Sequence, residues 1–419
     1  MRRIFFFNRC YWPDNQATGQ LLTELCEFLA PRWDVSVVVG QPNWVATTDT
    51  FVQTGVQTRN DVDIYRLNHH RSMKGRTLSR IRNFASFTMA VRRWGKTIGT
   101  DLLRDQAGSP TLRPTIVCET DPFLLPLVVG PMAKRLNARM IYYLQDIYPD
   151  VALALEFTRN SLPVRILKSR LRQAYMQADR IIVLDEDMRD RLGGWGIPIE
   201  RIRIVPNWMD CSKVKPIKQN NGFRIEHDFN GKFVVMHSGN MGMTQRLDNL
   251  VTAMKMPIVP DHSMLSLLGQ GSKRSSLEAF AHGQSNVRFM DYQPKEYLAT
   301  SLSAADLHVV SMDNSITGCM APSKLYGILA SGTPVLAIVP KGNAVWRLVE
   351  RERLGWTVEP NDCEGIARAI VAASKYDPQA LVEMGKRGRA LAIKLYDKQI
   401  CCEAFEAVLN EERGISGIG

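Results

Sequence analysis

The stretch APSKLYGILASGTPVLAI, residues 321–338, decides how the second half of this chain is read. A proline–serine pair precedes a helical pattern. The pattern stops at Gly332, and Thr333-Pro334 leads into an apolar strand. Pro322-Ser323-Lys324 suits a helix N-terminus, where serine can cap and the first-turn amides lack intrahelical partners. That end carries partial positive charge, and Lys324 adds a full one. A diphosphate would find donors and charge together there. An ordinary capped helix leading into a strand fits the same residues, so the rest of the chain has to decide.

Outward from this stretch, short apolar runs alternate with helical patterns. In the second half the runs are KFVVMHSG (232–239), SMLSLLG (263–269), NVRFM (286–290), DLHVVSM (306–312) and PVLAIV (334–339). In the first half they are RIFFF at the start, VSVVV (35–39), TIVCE (115–119), RMIYYL (139–144) and RIIVL (180–184). Leu21, Leu22, Leu25, Phe28 and Leu29 recur at helical spacing between the first two runs. Residues 78–94 place Leu78, Ile81, Ala85, Val91 and Trp94 on one helical face, and 162–178 do the same with Leu167, Leu171, Ala174, Tyr175 and Ala178. Strand, helix, strand in this rhythm predicts parallel sheets with right-handed crossovers. The stretch 207–223 has weak periodicity, a proline and several lysines, and reads as a linker. The expected class is α/β, with two doubly wound Rossmann-like domains. The first spans 1–206, the linker 207–222 and the second 223–394, with a terminal helix at about 395–415 returning to complete the first.

Length agrees: 419 residues exceed one core and fit two domains of roughly 200 residues. The eight cysteines form no CxxC pair, so neither zinc spacing nor a disulfide framework is expected. The IFFF run after Arg2-Arg3 ends too soon for a signal peptide, and PFLLPLVVGPMA from Pro122 is broken by prolines and too short to span a bilayer. Net charge is +11, unevenly spread. Residues 1–210 hold 29 basic against 21 acidic side chains, hence +8. Arg66, Arg71, Lys74, Arg76, Arg80, Arg82, Arg92, Arg93 and Lys96 fall within 66–96 with no acid among them, and Arg165, Lys168 and Arg172 cluster beside the apolar stripe of 162–178. Such tracts fit phosphate-bearing partners or an anionic membrane face.

Two further strand ends repeat the device of the opening stretch. HSGNMGMTQR supplies Gly239 and Gly242 in a turn before a helix, with Arg246 behind them. LLGQGSKRSSLEAF supplies Gly269, Gly271, Lys273 and Arg274. Glycines let a phosphate approach the backbone, and a following helix offers free N–H groups. Each alone is equally a solvated turn. Three in one half-chain favour a nucleotide-diphosphate site at the carboxyl ends of the strands.

The segments YWPDNQATGQLLTELCEFLA, YLQDIYPDVALAL, IVPNW, HSGNMGMTQRLDNL, LLGQGSKRSSLE and APSKLYGILASGTPVLAI together resemble the retaining, GT-B-fold glycosyltransferases of family 4. They are most similar to the bacterial branch that adds fucose-type or N-acetylfucosamine-type sugars during surface-polysaccharide assembly. The resemblance implies an N-terminal acceptor domain and a C-terminal sugar-nucleotide domain across a cleft. It also implies a UDP- or GDP-sugar as donor substrate with no cofactor and no required metal. Lys324, Arg246 and Asp146 would be the catalytic residues. Gly239, Asn240, Gly242, Gly271, Pro322, Ser323 and Leu325 would surround the diphosphate, and Tyr292 the base. Gln16, Ala17, Thr18, Gly19 and Gln145 would contact substrate. The acceptor would be a saccharide on a polyprenyl diphosphate, reached by a cytoplasmic enzyme held on the inner face of the plasma membrane by tracts 66–96 and 159–172.

The chain departs from the family pattern at Cys319 and Gly327, where the wider family carries two glutamates, at Gln145 for a histidine, and at Gln16-Ala17 for a glycine pair. Two rivals stay open: a GT-B-like sugar-nucleotide epimerase and a catalytically silent assembly scaffold. Nucleic acid is not an expected partner, because the basic tract lacks interleaved aromatics. Asp185-Glu186-Asp187 imitates a metal motif but sits where acids favour a helix start. His69-His70 lacks nearby carboxylates for a metal site.

Overall fold

A computed structural model describes residues 2–14, 16–42, 54–71, 77–97 and 113–411. The chain forms two compact units. One takes residues 1–153, 158–205 and 402 onward, and the other Ala154–Phe157 and Pro206–Cys401.

The first unit is built on β1 (Arg2–Phe7), β2 (Trp33–Val39), β3 (Gly55–Arg59), β4 (Val62–Arg66), β5 (Thr115–Glu119), β6 (Arg139–Tyr143), β7 (Arg180–Val183) and β8 (Ile202–Ile204). They form one sheet in the order β3-β4-β2-β1-β5-β6-β7-β8. All neighbours pair in parallel except β3, which turns back antiparallel on β4. Ile4 to Phe7 are buried without alternation, as a parallel strand covered on both faces must be. The β3–β4 hairpin, absent from the sequence expectation, turns at Asn60-Asp61, both at positive φ (46° and 59°).

In the second unit, β9 (Phe233–Ser238), β10 (Ser263–Leu268), β11 (Val287–Met290), β12 (Leu307–Ser311), β13 (Val335–Ile338) and β14 (Gly355–Val358) form a wholly parallel sheet in the order β11-β10-β9-β12-β13-β14. Val235, Leu265, Leu267, Val309 and Leu336 pack on one face with Leu250, Val251, Ile366 and Ile370. Val234, Met236, Met264 and Leu268 pack on the other with Phe223 and Phe229. Alternate side chains thus face two helical layers, which makes the unit doubly wound.

The stretch read as a linker is fastened to the second unit. Lys218 bonds to the Ala305 carbonyl and to Thr333, and Arg389 bonds to the carbonyls of Cys211, Val214 and Ala330. The final helix, Lys398–Asn410, contributes Phe405 against Phe6 and Tyr143. On the same helix Glu406 binds Arg32 and Trp33, and just past it Glu411 binds Arg180 and Arg203.

Helix Thr77–Trp94 buries Val91 and Trp94 of the expected stripe, but its N-terminal half turns another face inward. Asn83, Phe87, Val91 and Trp94 face inward, while Leu78 and Ile81 are 77% and 57% exposed. Polar Asn83 belongs inside because it donates to the His70 carbonyl. His69 is likewise structural: its Nε2 accepts from the Gln41 amide, and its Nδ1 meets the His70 carbonyl.

Gly269 ends β10 with φ +137°, and a Cβ there would overlap the Gly239 carbonyl. Gly269→Ala is expected to lower unfolding free energy by roughly 2–4 kcal/mol, read as a shift of the urea midpoint.

Candidate functional site

The six strands β4-β2-β1-β5-β6-β7 and all six of the second sheet share one order, with a reversal beside the first strand of each. Ligands of open α/β sheets bind outside the carboxyl ends at that reversal. In the first unit it falls between β1 and β5.

A cavity of about 160 Å³ opens there, lined by Arg9, Gln16, Thr18, Arg80, Phe84, Glu119, Thr120, Asp121, Pro122, Phe123, Gln145, Asp146 and Tyr148. Arg9 follows β1, Glu119 to Phe123 end and follow β5, and Gln145 to Tyr148 follow β6. Arg9 holds Asp121 through two bonds, Nε to Oδ1 at 3.1 Å and Nη2 to Oδ2 at 2.8 Å. Cys10 Sγ reaches the same Oδ2 at 3.0 Å and Gln16 Oε1 at 3.3 Å. Phe123 and Tyr148 stack at 4.6 Å, and Arg80 lies over the Phe84 ring.

Three carboxyl groups therefore share one small space. Burial, followed by repulsion from Asp121, pushes Asp146 up to about 7, with Arg80 opposing. Burial and Asp121 also push Glu119 well above its usual value. A carboxyl that titrates near neutrality is suited to exchanging a proton with a bound hydroxyl.

Of the residues expected to touch substrate, Gln16, Thr18, Gln145 and Asp146 line this cavity. Ala17 is exposed outside it. Gly19 is buried against the backbone of Cys10 and Tyr11, so its smallness serves packing. Arg9, Arg80, Glu119, Asp121 and Tyr148 were missed. Their signal was position: four of them lie at the carboxyl end of a strand or just beyond it.

In the second unit the opening stretch forms helix Lys324–Ala330. Ser323 precedes it but makes no side-chain cap bond, which corrects the capping expectation. The Leu325 amide bonds the Pro322 carbonyl and its side chain is core, so Leu325 presents no free donor. The amides of Ser323 and Lys324 have no hydrogen-bond partner among the described residues.

The Lys324 side chain runs against Gly239. A Cβ at Gly239, where φ is +129°, would lie 2.7 Å from Lys324 Cε and 3.5 Å from Nζ. Glycine is thus required for the lysine to lie across the end of β9. Burial alone pushes the Lys324 ammonium down to about 8, and among the described residues no carboxylate pairs with it. Neutral His237, fully buried beneath the same turn, keeps its Nε2 against the Asn240 carbonyl.

The other expected donor residues are placed less directly. Gly242 gives its amide to Gln245 Oε1 at 2.8 Å. A Cβ at Gly271 would overlap the Met241 carbonyl, so this glycine serves the packing of two loops. Asn240 is exposed. Arg246 is left-handed (φ 45°) and directed to Asp313 at 3.4 Å and Asn361 at 3.4 Å, so part of its charge is already answered. Tyr292 is about half exposed just past β11. The two positions that depart from the glutamate pattern are packed: Cys319 is buried, and a Cβ at Gly327 would lie 3.2 Å from Met209 and 3.3 Å from Leu302.

Some of the basic tract turns inward. Arg66 is buried and bonds the carbonyls of Gly40 and Trp12. Lys168 pairs with Asp150 at 2.7 Å, and Arg172 donates to the Trp195 carbonyl. Lys74 and Arg76 lie outside the described residues. Asp185 caps its helix by accepting from the Met188 amide at 2.8 Å, as its position implied.

Two doubly wound units of one strand order, the first with a polar cavity at its switch point and the second with Lys324 across the end of β9, are the architecture of the GT-B class of α/β transferase. The comparisons agree. Residues 17–208 match the glycosyl transferase 4-like domain, and 232–375 match the glycosyl transferases group 1 model. The chain belongs to this glycosyltransferase family. It is 24% identical over 343 residues to "Probable glycosyltransferase WbjE" of Pseudomonas aeruginosa, covering 80% of this chain and 82% of that one. It is 22% identical over 390 residues to the putative colanic acid biosynthesis glycosyl transferase WcaI of Escherichia coli K12, covering 88% and 91%. The crystal structure of Anabaena HepE in complex with UDP superposes with a TM-score of 0.69 at 13% identity, covering 98% and 99%.

Asp146 has a stability signature. Its native carboxyl keeps a proton to about 7 against an ordinary value of 3.8, so the unfolded chain ionises first as pH rises. Wild-type stability should therefore fall across that window, and Asp146→Asn should remove the fall. The variant's stability relative to wild type should rise by on the order of 2 kcal/mol from about pH 4 to about pH 8, measured by urea midpoints.

Proposed function

We propose that this glycosyltransferase moves a sugar from a UDP- or GDP-sugar to a lipid-linked saccharide, with retained anomeric configuration, in the assembly of a bacterial surface polysaccharide. The observation that carries the donor half is Lys324. It is an ammonium pressed into the carboxyl edge of a parallel sheet, beside two unpartnered amides and without a carboxylate of its own. A buried cation normally acquires a partner, and a diphosphate supplies one. The UDP complex of HepE and the colanic acid role in the name of WcaI support the substrate class.

Breaking the sugar–phosphate bond builds negative charge on the leaving diphosphate. Fixed donors at Ser323 and Lys324, with the Lys324 charge, stabilise that charge as it develops. Arg246 serves less directly, since Asp313 shares it. The acceptor hydroxyl attacks from the face the diphosphate leaves, and a leaving phosphate oxygen takes its proton. Asp146 belongs to the acceptor side, where it orients a hydroxyl.

The acceptor's lipid supports a peripheral membrane location. Among the described residues no helix is long and apolar enough to cross a membrane. Helices Thr77–Trp94 and Leu162–Met176 both pack on Pro126–Arg135. They expose Leu78, Ile81, Leu162 and Ile166 beside Arg82 and Arg165. Exposed apolar side chains among cations fit an anionic interface. The full chain should float with vesicles containing anionic lipid and not with neutral ones. Ile81→Asp with Ile166→Asp should reduce flotation several-fold; equal recovery with both vesicle types would sink the membrane claim.

Lys324 separates binding from stability. Its native value of about 8 lies below the ordinary 10.5, so burial penalises its charged form at neutral pH. Lys324→Met should raise the melting temperature of the unliganded protein at pH 7. It should also abolish the stabilisation by UDP or GDP, which is about 2.7 kcal/mol at a hundred times Kd for a competent site. Lys324→Ala should cut turnover by roughly 10²-fold. A full nucleotide shift in either variant would remove Lys324 from the donor site.

A further inference from the structure

Glu119 is the buried group that the transfer chemistry above does not use. It ends β5 at the floor of the first unit's cavity and is 2% exposed. Its Oε2 is buried with no hydrogen-bond partner among the described residues. Arg9, which lines the same cavity, spends its Nε and Nη2 on Asp121. The adjacent carbonyl accepts from Cys118 Sγ, which leaves the carboxyl group itself unused.

The other buried carboxyl groups of this unit look different. Asp179, 8% exposed, accepts from the Met140 amide at 2.9 Å. Asp150 is held by Lys168, Arg191 and Trp195. A buried carboxyl left without such partners costs stability and contributes nothing to packing that a leucine would not. It is retained at little benefit unless something entering the cavity completes it.

We propose that Glu119 is a specificity-determining residue of the acceptor site, binding a hydroxyl of an uncharged sugar ring that enters the cavity beside Tyr148 and Phe123. The proposal rests on the acceptor side of the transfer lying in the first unit. The cavity's composition selects the ligand class. Aromatic Phe84, Phe123 and Tyr148 provide apolar surface for ring C–H groups, and three carboxyls and Gln145 provide paired donors and acceptors for hydroxyls. With Asp121 and Asp146 so close, an anionic sugar would meet like charge. Burial, followed by Asp121, pushes the Glu119 carboxyl well above its usual value, which favours the protonated form, able to donate one hydrogen bond and accept another. A glutamine offers the same pair of roles without charge.

The test uses the full chain, saturated with UDP or GDP, and the octyl glycosides of glucose, galactose and N-acetylglucosamine as probes. Saturation-transfer NMR reports glycoside binding. Thermal shift with the nucleotide reports the donor site in the other unit. The expected result is that at least one glycoside binds wild type, that Glu119→Leu weakens it at least tenfold, and that Glu119→Gln retains it within about threefold. Glu119→Leu should melt at or above the wild-type temperature and keep its nucleotide shift, because an orphaned carboxyl has been removed and nothing structural lost. Glycoside binding unchanged in Glu119→Leu overturns the proposal, as does a wild type that takes the nucleotide but none of the glycosides. A marked loss of melting temperature in Glu119→Leu overturns it too, since the side chain would then be structural. The donor assignment fails separately, by a wild type that shows no shift with either nucleotide.

Discussion

A parallel strand can be followed by another only through a crossover that carries the chain back to the same starting edge. Every strand except β3 therefore delivers its last residue to the same edge of its own sheet, and the loops there diverge where the strand order reverses. In the first unit this puts Arg9, Glu119 and Asp146 together from positions as far as 137 residues apart. In the second it sets the turn after β9 beside the start of helix Lys324–Ala330, so that Gly239 and Lys324 touch. The chemistry at both edges depends on this constraint: the helices and core exist to hold two rows of strand ends open.

What distinguishes a site from a merely buried charge is whether the charge is answered. Asp150 has three donors, so its carboxylate is complete within the fold. Among the described residues Lys324 pairs with no carboxylate and Glu119 has an oxygen with no donor. Leaving a group unanswered in a place of reduced dielectric costs more than pairing it would. The same low dielectric strengthens any contact that a ligand then makes. Both sites thus exchange stability of the empty protein for strength of the filled one.

The sheets were legible in the sequence because their strands are buried on both faces. Runs such as TIVCE and PVLAIV have no polar alternation to confuse them with surface structure. The β3–β4 hairpin was not legible because it is an edge element of mixed exposure, although Asn60-Asp61 between GVQTR and VDIYR carried a hairpin signal. The helix 78–94 was found, and Val91 and Trp94 are buried as its periodicity implied, but Leu78 and Ile81 face out and Asn83 lies inside, where its Nδ2 donates to the His70 carbonyl. At the candidate sites, the strand-end positions of Asp146 and Lys324 were legible from motif: one lines the first unit's cavity and the other lies against Gly239. Glu119 was hidden as the last letter of a strand, and Arg80 looked like one surface charge among many. Only the tertiary fold brings its guanidinium close enough to Asp146 to oppose the rise in that carboxyl's pKa.

The missing glutamates have a steric consequence. Gly327 faces Met209 and Leu302 at little more than van der Waals distance, and Cys319 is buried. A carboxylate at Gly327 would have to displace that packing, so the helix cannot offer an acid to a sugar or ribose from this position. Under the proposed function, donor recognition at this helix is left to backbone amides and one lysine, groups that bind phosphate oxygens and are indifferent to the sugar attached. Discrimination among sugars requires paired hydrogen-bond partners for hydroxyls, because a site with unsatisfied buried polar groups rejects the ligand that fails to complete it. In this chain such groups are concentrated around the cavity at the ends of β1, β5 and β6. The same proposal divides the work between the two strand edges: charge neutralisation at Lys324, hydroxyl recognition at Glu119, Asp121 and Asp146.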